Sequence, residues 1–421
     1  METAKHKKIL LVILDGAGEP VGQQKTSLEA ADLTLLNWLA SRGHTGLLDN
    51  QLFERADLGP DSGTSTWALL GYPKEDYPGR GWLEALGAGL QPREGEVCMR
   101  ANFATVEEVT GMRTDVVPEN PKTQLPLRLR VLDRRAGRDT SGLHDLSRSI
   151  EKVNIDGVWV RFHHSLAHRG VAMISNSEVS PFVSDSDPGM ATNEVLEVKA
   201  VQNDDRSMKT ASALNKWSLE VYNKLKSAPE NRHRTFPANY VLLRGASVPR
   251  TVRSFREAQG MSAACISASP VVKGIAKATE MEVVNVTGIT GDPRTNLMDK
   301  VLQALEALKK HDFVVLHILG ADVASHDRNR REKAGFLTKV DKEVFGRIRE
   351  YSDFKKLVLA VTSDHCTDPS TGMHVSGGFP YLIYTEGIAS TRSSGFNERA
   401  AAATGIKNDI SDFMELILQF R

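Results

Sequence analysis

The chain has little cysteine, no surplus charge of either sign, and no apolar run long enough to cross a membrane. Its three cysteines, Cys98, Cys265 and Cys366, are an odd number spread through 421 residues, with no Cys-X-X-Cys pair. That excludes a disulfide framework and reads as reduced thiols in a cytoplasmic protein. Lysine plus arginine and aspartate plus glutamate both total 53, so the formal net charge is zero. No broad basic face is available for a phosphate backbone, and no nucleic-acid partner is expected. The longest apolar run, 9–14, ends at Asp15. It falls far short of the roughly 20 residues a bilayer span needs, and no membrane partner is expected. The run is also shorter than a signal-peptide core, so the chain reads as a mature cytoplasmic protein. Neither internal repeats nor low-complexity tracts occur, which sets solenoids aside.

What remains is the composition of an ordinary globular protein, 40% hydrophobic and 25% charged. The length suits two or three domains, or one large domain carrying an insertion. Short, β-branched apolar runs at Lys8–Leu14, 263–267, 313–319, Leu357–Thr362 and 381–384 read as buried parallel strands. Helical patterns lie between them, at 33–40 and 298–308, and another closes the chain at 411–420. The expected class is therefore α/β. From about 80 to 246 strand signals weaken and prolines recur, and a helix with Leu214, Trp217, Val221 and Leu225 on one stripe stops before Pro229. The expected organisation is a core of 1–79 and 247–421 interrupted by an inserted domain, 80–246.

Three of the strand candidates run into aspartate: Asp15, Asp322 and Asp364. In parallel sheets, ligands gather at the carboxyl edge of the strands, so these acids would converge there. Converging carboxylates repel, and a cation is the usual remedy. Histidines accompany two of them. In Asp322-Val-Ala-Ser-His326 the i, i+4 spacing puts carboxylate and imidazole on one helical face, while His365 adjoins Asp364 and His374 follows in a glycine-rich loop. Mixed Asp/His sets suit manganese or zinc, with magnesium or cobalt as alternatives, and a two-metal centre is the economical reading. Paired cations point in turn to phosphoryl transfer. The turn 59–66, rich in hydroxyls, precedes the helical-looking 67–70 and would set a hydroxyl at a helix N-terminus, where amides favour an anion. Helix capping is the competing use of such residues.

Ordered segments along nearly the whole chain carry a resemblance. They include LDGAG at 14–18, the stretch 60–72 ending in LLGY, GRGWLEALGAG at 79–89, RANFAT at 100–105, DRRAGR at 133–138 and HRGV at 168–171. VSDSDP at 183–188, ANYVLLRGA at 238–246 and ACISASPVVKG at 264–274 continue the series, with the Asp322/His326 pair and Asp364-His365. Together they resemble the archaeal-type, cofactor-independent phosphoglycerate mutases of the alkaline phosphatase superfamily. The resemblance implies a phosphatase-like, mostly parallel α/β core, a smaller inserted α/β transferase domain, and an active site in the cleft between them. It implies interconversion of 3-phosphoglycerate and 2-phosphoglycerate through a phosphoserine at Ser62, with two divalent ions, manganese foremost, and no bisphosphoglycerate. Asp322, His326 and His374 would hold one ion, and Asp15, Ser62, Asp364 and His365 the other. Lys273 would serve the bridging oxygen. Arg135, Arg169 and Arg244 would hold phosphate and carboxylate, with His168 and Asp133 nearby. Bidentate donors suit such a substrate, which favours arginine over lysine.

The sequence also departs from that family. Around the nucleophile it reads Asp61-Ser-Gly-Thr-Ser-Thr66, where the family usually has Gly-Ser-Asp-Thr-Ala-His, and Cys366 stands where serine is frequent. A related phosphomonoesterase or phosphotransferase, and a catalytically silent member of the fold, are the alternatives. A homo-oligomer is compatible with the sequence.

Overall fold

The computed structural model describes residues 6–50, 61–109, 128–189 and 192–421. Gly59 and Pro60, at the start of the hydroxyl-rich turn, lie outside them. The chain divides into two compact units, Met1–Tyr77 with Val252–Arg421, and Pro78–Thr251. No described helix is long and apolar enough to cross a membrane.

The first unit is built on an eight-stranded sheet. Across it run Glu282–Val283, Ala263–Ile266, Phe313–Ile318, Lys8–Leu14, Leu357–Thr362, Phe379–Tyr384, His44–Asp49 and Lys407–Asp409. The first five are parallel, and Phe379–Tyr384 is antiparallel to both of its neighbours. The α/β class and mostly parallel core are thus as expected. The central strands are apolar at nearly every position because both faces are covered. Leu10, Val12 and Leu14 pack in one cluster with Leu36, Leu39, Val301, Ala304, Phe336 and Val340 from the helices Thr34–Ala40, Leu297–Lys310 and Arg330–Val340. The helix Ser62–Leu69 packs against Pro270–Ala278.

The second unit also joins helices to a sheet, here of six strands and antiparallel throughout its described pairings. Its axis is the twelve-residue strand Val97–Glu108. Tyr240–Ser247 pairs along one edge of that strand, and Arg169–Ser175 and Leu129–Asp133 along the other. The helix Asp205–Lys226, capped by the Asp204 carboxylate on the Ser207 amide, turns Leu214, Trp217, Val221 and Leu225 into a core with Phe103 and Phe162.

Candidate active site

Lys8–Leu14 lies between Phe313–Ile318 and Leu357–Thr362, with Leu14 opposite Ile318 and Ile13 opposite Thr362. Parallel register carries the three chains to one edge together, so Asp15, Asp322 and Asp364 meet there. Asp15 and Asp364 are fully buried and Asp322 nearly so. Gly16 donates its amide to Asp364 Oδ1 at 3.0 Å.

The histidines complete two sets of converging ligand atoms, Asp15–Asp364–His365 and Asp322–His365–His374, each within 4.8 Å. His365 Nε2 is 3.3 Å from Asp15 Oδ1 and 3.6 Å from Asp364 Oδ2. His374 Nε2 is 3.3 Å from Asp322 Oδ1 and 3.1 Å from His326 Nε2. Asp322 and His326 share the short helix Gly320–His326, and their Oδ2 and Nε2 atoms are 3.3 Å apart. His326 turns its other nitrogen to the Gly372 carbonyl at 2.7 Å, which directs Nε2 toward the acids. His374 stands on a small hairpin, Met373–Val375 against Cys366–Asp368, with its ring stacked 4.0 Å from that of His365.

Burial, and then the neighbouring Asp15 charge, push the Asp364 carboxyl up. Asp322 is held well below the carboxylate range although burial works against it, because His326 and His374 surround it. Asp15 Oδ2 and Asp364 Oδ2 have no hydrogen-bond partner among the described residues. Orphaned buried carboxylate oxygens beside imidazoles fit a bound divalent cation, so this donor set passes the chemical test for one.

Ser62 Oγ is 3.4 Å from Asp15 Oδ1 and 3.3 Å from His365 Nε2. The helix begins at Ser62, earlier than its sequence pattern suggests, because Asp61 caps it by accepting from the Gly63 and Thr64 amides at 2.7 and 3.2 Å. Ser62 thus stands at a helix N-terminus, and the capping there is done by the Asp61 carboxylate, which holds these two amides. Lys273 lies in the neighbouring helix, half-buried, with its ammonium held below its usual range by burial and then by Lys277. The two helices pack closely, and a Cβ on Gly63 would meet Val271 at 3.0 Å.

The second unit brings together most of its expected residues. Arg244 faces Arg100 across the strand ladder, and Arg169 faces Asn102. Arg100 is buried, and its positive charge is disfavoured by burial, then by Arg80 and Arg244, and further by Arg169. Glu84 is the acid that opposes this, 3.8 Å from Arg100 and 3.2 Å from Arg80. His168 is buried and held well below its usual range by burial and then by Arg169, Arg135 and Arg100. Asp133 accepts the Arg135 amide at 2.6 Å, so its carboxylate also shapes that turn. Sequence reasoning missed Arg80 and Arg100, whose signal is a charge inside otherwise apolar segments. It missed His317, inside the run 313–319, and Thr367 for lack of any local signal.

A parallel-centred α/β sheet with an acid and imidazole cluster at its carboxyl edge, joined to a second unit with an arginine cluster, defines the class. The family model described as 2,3-bisphosphoglycerate-independent phosphoglycerate mutase matches residues 40–231. A protein of that name from Methanocaldococcus jannaschii is 36% identical over 94% of this chain and 93% of its own. One from Ignicoccus hospitalis is 35% identical over 99% and 98%. The chain belongs to the 2,3-bisphosphoglycerate-independent phosphoglycerate mutase family. Among solved structures, a Pyrococcus horikoshii protein is similar at 27% identity, covering 99% of this chain and 97% of that one, with a TM-score of 0.74. A cofactor-independent phosphoglycerate mutase from Thermoplasma acidophilum is similar at 28% identity over 98% and 99%, with a TM-score of 0.59.

Proposed function

We propose that this chain interconverts 3-phosphoglycerate and 2-phosphoglycerate, an isomerisation by intramolecular phosphoryl transfer that needs no bisphosphoglycerate. The observation that carries the reading is Ser62 Oγ, which stands within 3.4 Å of both Asp15 and His365 at the carboxyl edge of the sheet. Ser62 takes the phosphoryl group as one glycerate oxygen–phosphorus bond breaks, and returns it to the neighbouring hydroxyl of the same glycerate. The hydroxyl proton of Ser62 faces Asp15 Oδ1, 3.4 Å away. Lys273 serves the oxygen that bridges phosphorus and glycerate, and Asp133 exchanges protons with the glycerate hydroxyls.

Divalent ions, manganese first and magnesium, cobalt or zinc as alternatives, would be held by Asp322, His326 and His374 and by Asp15, Ser62, Asp364 and His365, supplying the charge that lowers the serine hydroxyl pKa. The unit 78–251 is the substrate-binding part: Arg135, Arg169 and Arg244 with His168 offer planar donors for phosphate and carboxylate, supported by the positive surplus around Arg100. A cytoplasmic location suits such a substrate.

The test is a product-resolved assay of the manganese-loaded chain with 3-phosphoglycerate and no bisphosphoglycerate. The expected product is 2-phosphoglycerate, with a phosphoserine at Ser62 in trapped protein. Ser62→Ala should lose at least about three orders of magnitude in kcat. Full activity of that variant, or release of inorganic phosphate with no 2-phosphoglycerate, would overturn the proposal.

A further inference from the structure

Thr367 is fully buried beside both ligand sets and belongs to neither. Its Oγ1 lies 3.0 Å from Asp322 Oδ1 and 3.1 Å from His365 Nδ1. The backbone around it is pinned on both sides. Its amide donates to the Gly18 carbonyl at 2.9 Å, and its carbonyl accepts from Lys333 Nζ at 3.0 Å. Lys333 is itself fully buried and paired with Glu19 at 3.1 Å.

The direction of the two hydrogen bonds follows from chemistry. An ionised carboxylate only accepts, so the hydroxyl hydrogen must point to Asp322. The oxygen then turns a lone pair to His365 Nδ1, and a nitrogen 3.1 Å from a lone pair must carry hydrogen there. Nε2 is thereby left as the ligand atom, and it is Nε2 that faces Asp15, Asp364 and Ser62. One hydroxyl thus fixes an oxygen of Asp322 in one group and the orientation of the His365 ring in the other.

We propose that Thr367 is a positioning residue for both metal groups, its single hydroxyl orienting Asp322 and His365 together so that loading of the two groups is energetically linked. This rests on the metal reading given above. Thr367→Val keeps the shape and removes the hydroxyl, whereas Thr367→Ser keeps the hydroxyl.

Metal-stripped full-length chain is titrated with manganese in a calorimeter, as wild type and as each variant. In Thr367→Val both ions should bind about 10–100-fold more weakly, the usual effect of losing an outer partner of a ligand, and Thr367→Ser should stay within a few-fold of wild type. Undiminished binding by Thr367→Val, or weakening of one ion alone, would overturn the linked role and leave the metal reading standing. Wild-type chain that takes up no manganese would overturn the metal reading and this role with it. A check independent of any variant uses the imidazole nitrogen resonances of zinc-loaded wild type. They should show His365 protonated at Nδ1 and bound at Nε2, and the reverse assignment would refute the role.

Discussion

His317 Nε2 lies 3.2 Å from Asp15 Oδ2, with both side chains fully buried. The two atoms are close without the alignment of a hydrogen bond, so the contact acts as electrostatic support rather than as full satisfaction of the oxygen. The ring is held from its far side by Ser267 Oγ, 3.2 Å from Nδ1, and the Ser269 amide holds that hydroxyl in turn at 3.0 Å. Burial and Asp322 both raise the Asp15 carboxyl, and it is nonetheless depressed by His317 and His365. A carboxyl depressed on folding contributes stability above its unfolded pKa and loses it as pH falls through the folded one. His317→Leu should therefore move the acid-unfolding midpoint of metal-free chain to higher pH and cost about 1–3 kcal/mol at neutrality. Circular dichroism through an acid titration reads both, and superimposable curves would count against the contact.

Gly16 offers a sharper steric test of the same edge. Its φ is +61°, and an added Cβ would stand 2.7 Å from Asp322 Cβ, Asp322 Oδ1 and Thr367 Oγ1. None of these is the free end of a flexible chain. Gly16→Ala should displace Asp322 and weaken manganese binding by at least about tenfold, in addition to about 1–2 kcal/mol of backbone strain. Calorimetric titration alongside urea unfolding separates the two effects. Wild-type affinity in this variant would mean that the edge yields more than its packing suggests.

How far the sequence could be read depended on how local each signal was. Lys8–Leu14 and Leu357–Thr362 have the bounds expected of them, because strands covered on both faces are written as uninterrupted apolar runs. Val97–Glu108 was hidden because Arg100, Asn102 and Thr105 break the run, although all three are buried in the structure. The acids and histidines at the strand ends were legible from position alone. Thr367 and His317 were not, since their importance comes from the partners that folding brings to them.

Arg100 is a buried cation among cations, an arrangement that a bound anion would relieve. Its neighbours Arg80, Arg244 and Arg169 all disfavour its charge, while Glu84, 3.8 Å away, favours it. Replacing it by methionine removes repulsion while Arg80 continues to pair with Glu84 at 3.2 Å. Arg100→Met should leave the unliganded chain as stable as wild type, or more stable by up to about 2 kcal/mol. The thermal shift produced by 3-phosphoglycerate should shrink and KM should rise at least about tenfold, with manganese uptake unchanged. An undiminished thermal shift would take Arg100 out of substrate binding.

Glu398 gives the fold a pH dependence distinct from that of the catalytic groups. It is buried, with Oε1 accepting the Glu19 amide at 2.9 Å and Oε2 accepting the Thr26 hydroxyl at 2.7 Å. Burial raises its carboxyl from 4.5 to about 7, against the pull of Thr26, the backbone bonds and Lys333. Because the folded pKa lies above the unfolded one, the folded chain binds the proton more tightly. Its contribution to stability is complete below about pH 4.5 and is lost as pH rises through about 7. The loss is of order 3 kcal/mol at most. Glu398→Gln keeps an oxygen for the Glu19 amide, and its NH2 can donate to Thr26 Oγ1 once that hydroxyl turns. The variant should be insensitive where wild type weakens. Urea midpoints of manganese-free protein between pH 5 and 8 should therefore converge in acid and diverge toward pH 8, with the variant more stable there. Parallel curves would show that Glu398 stays ionised throughout, with Lys333 rather than burial setting its state.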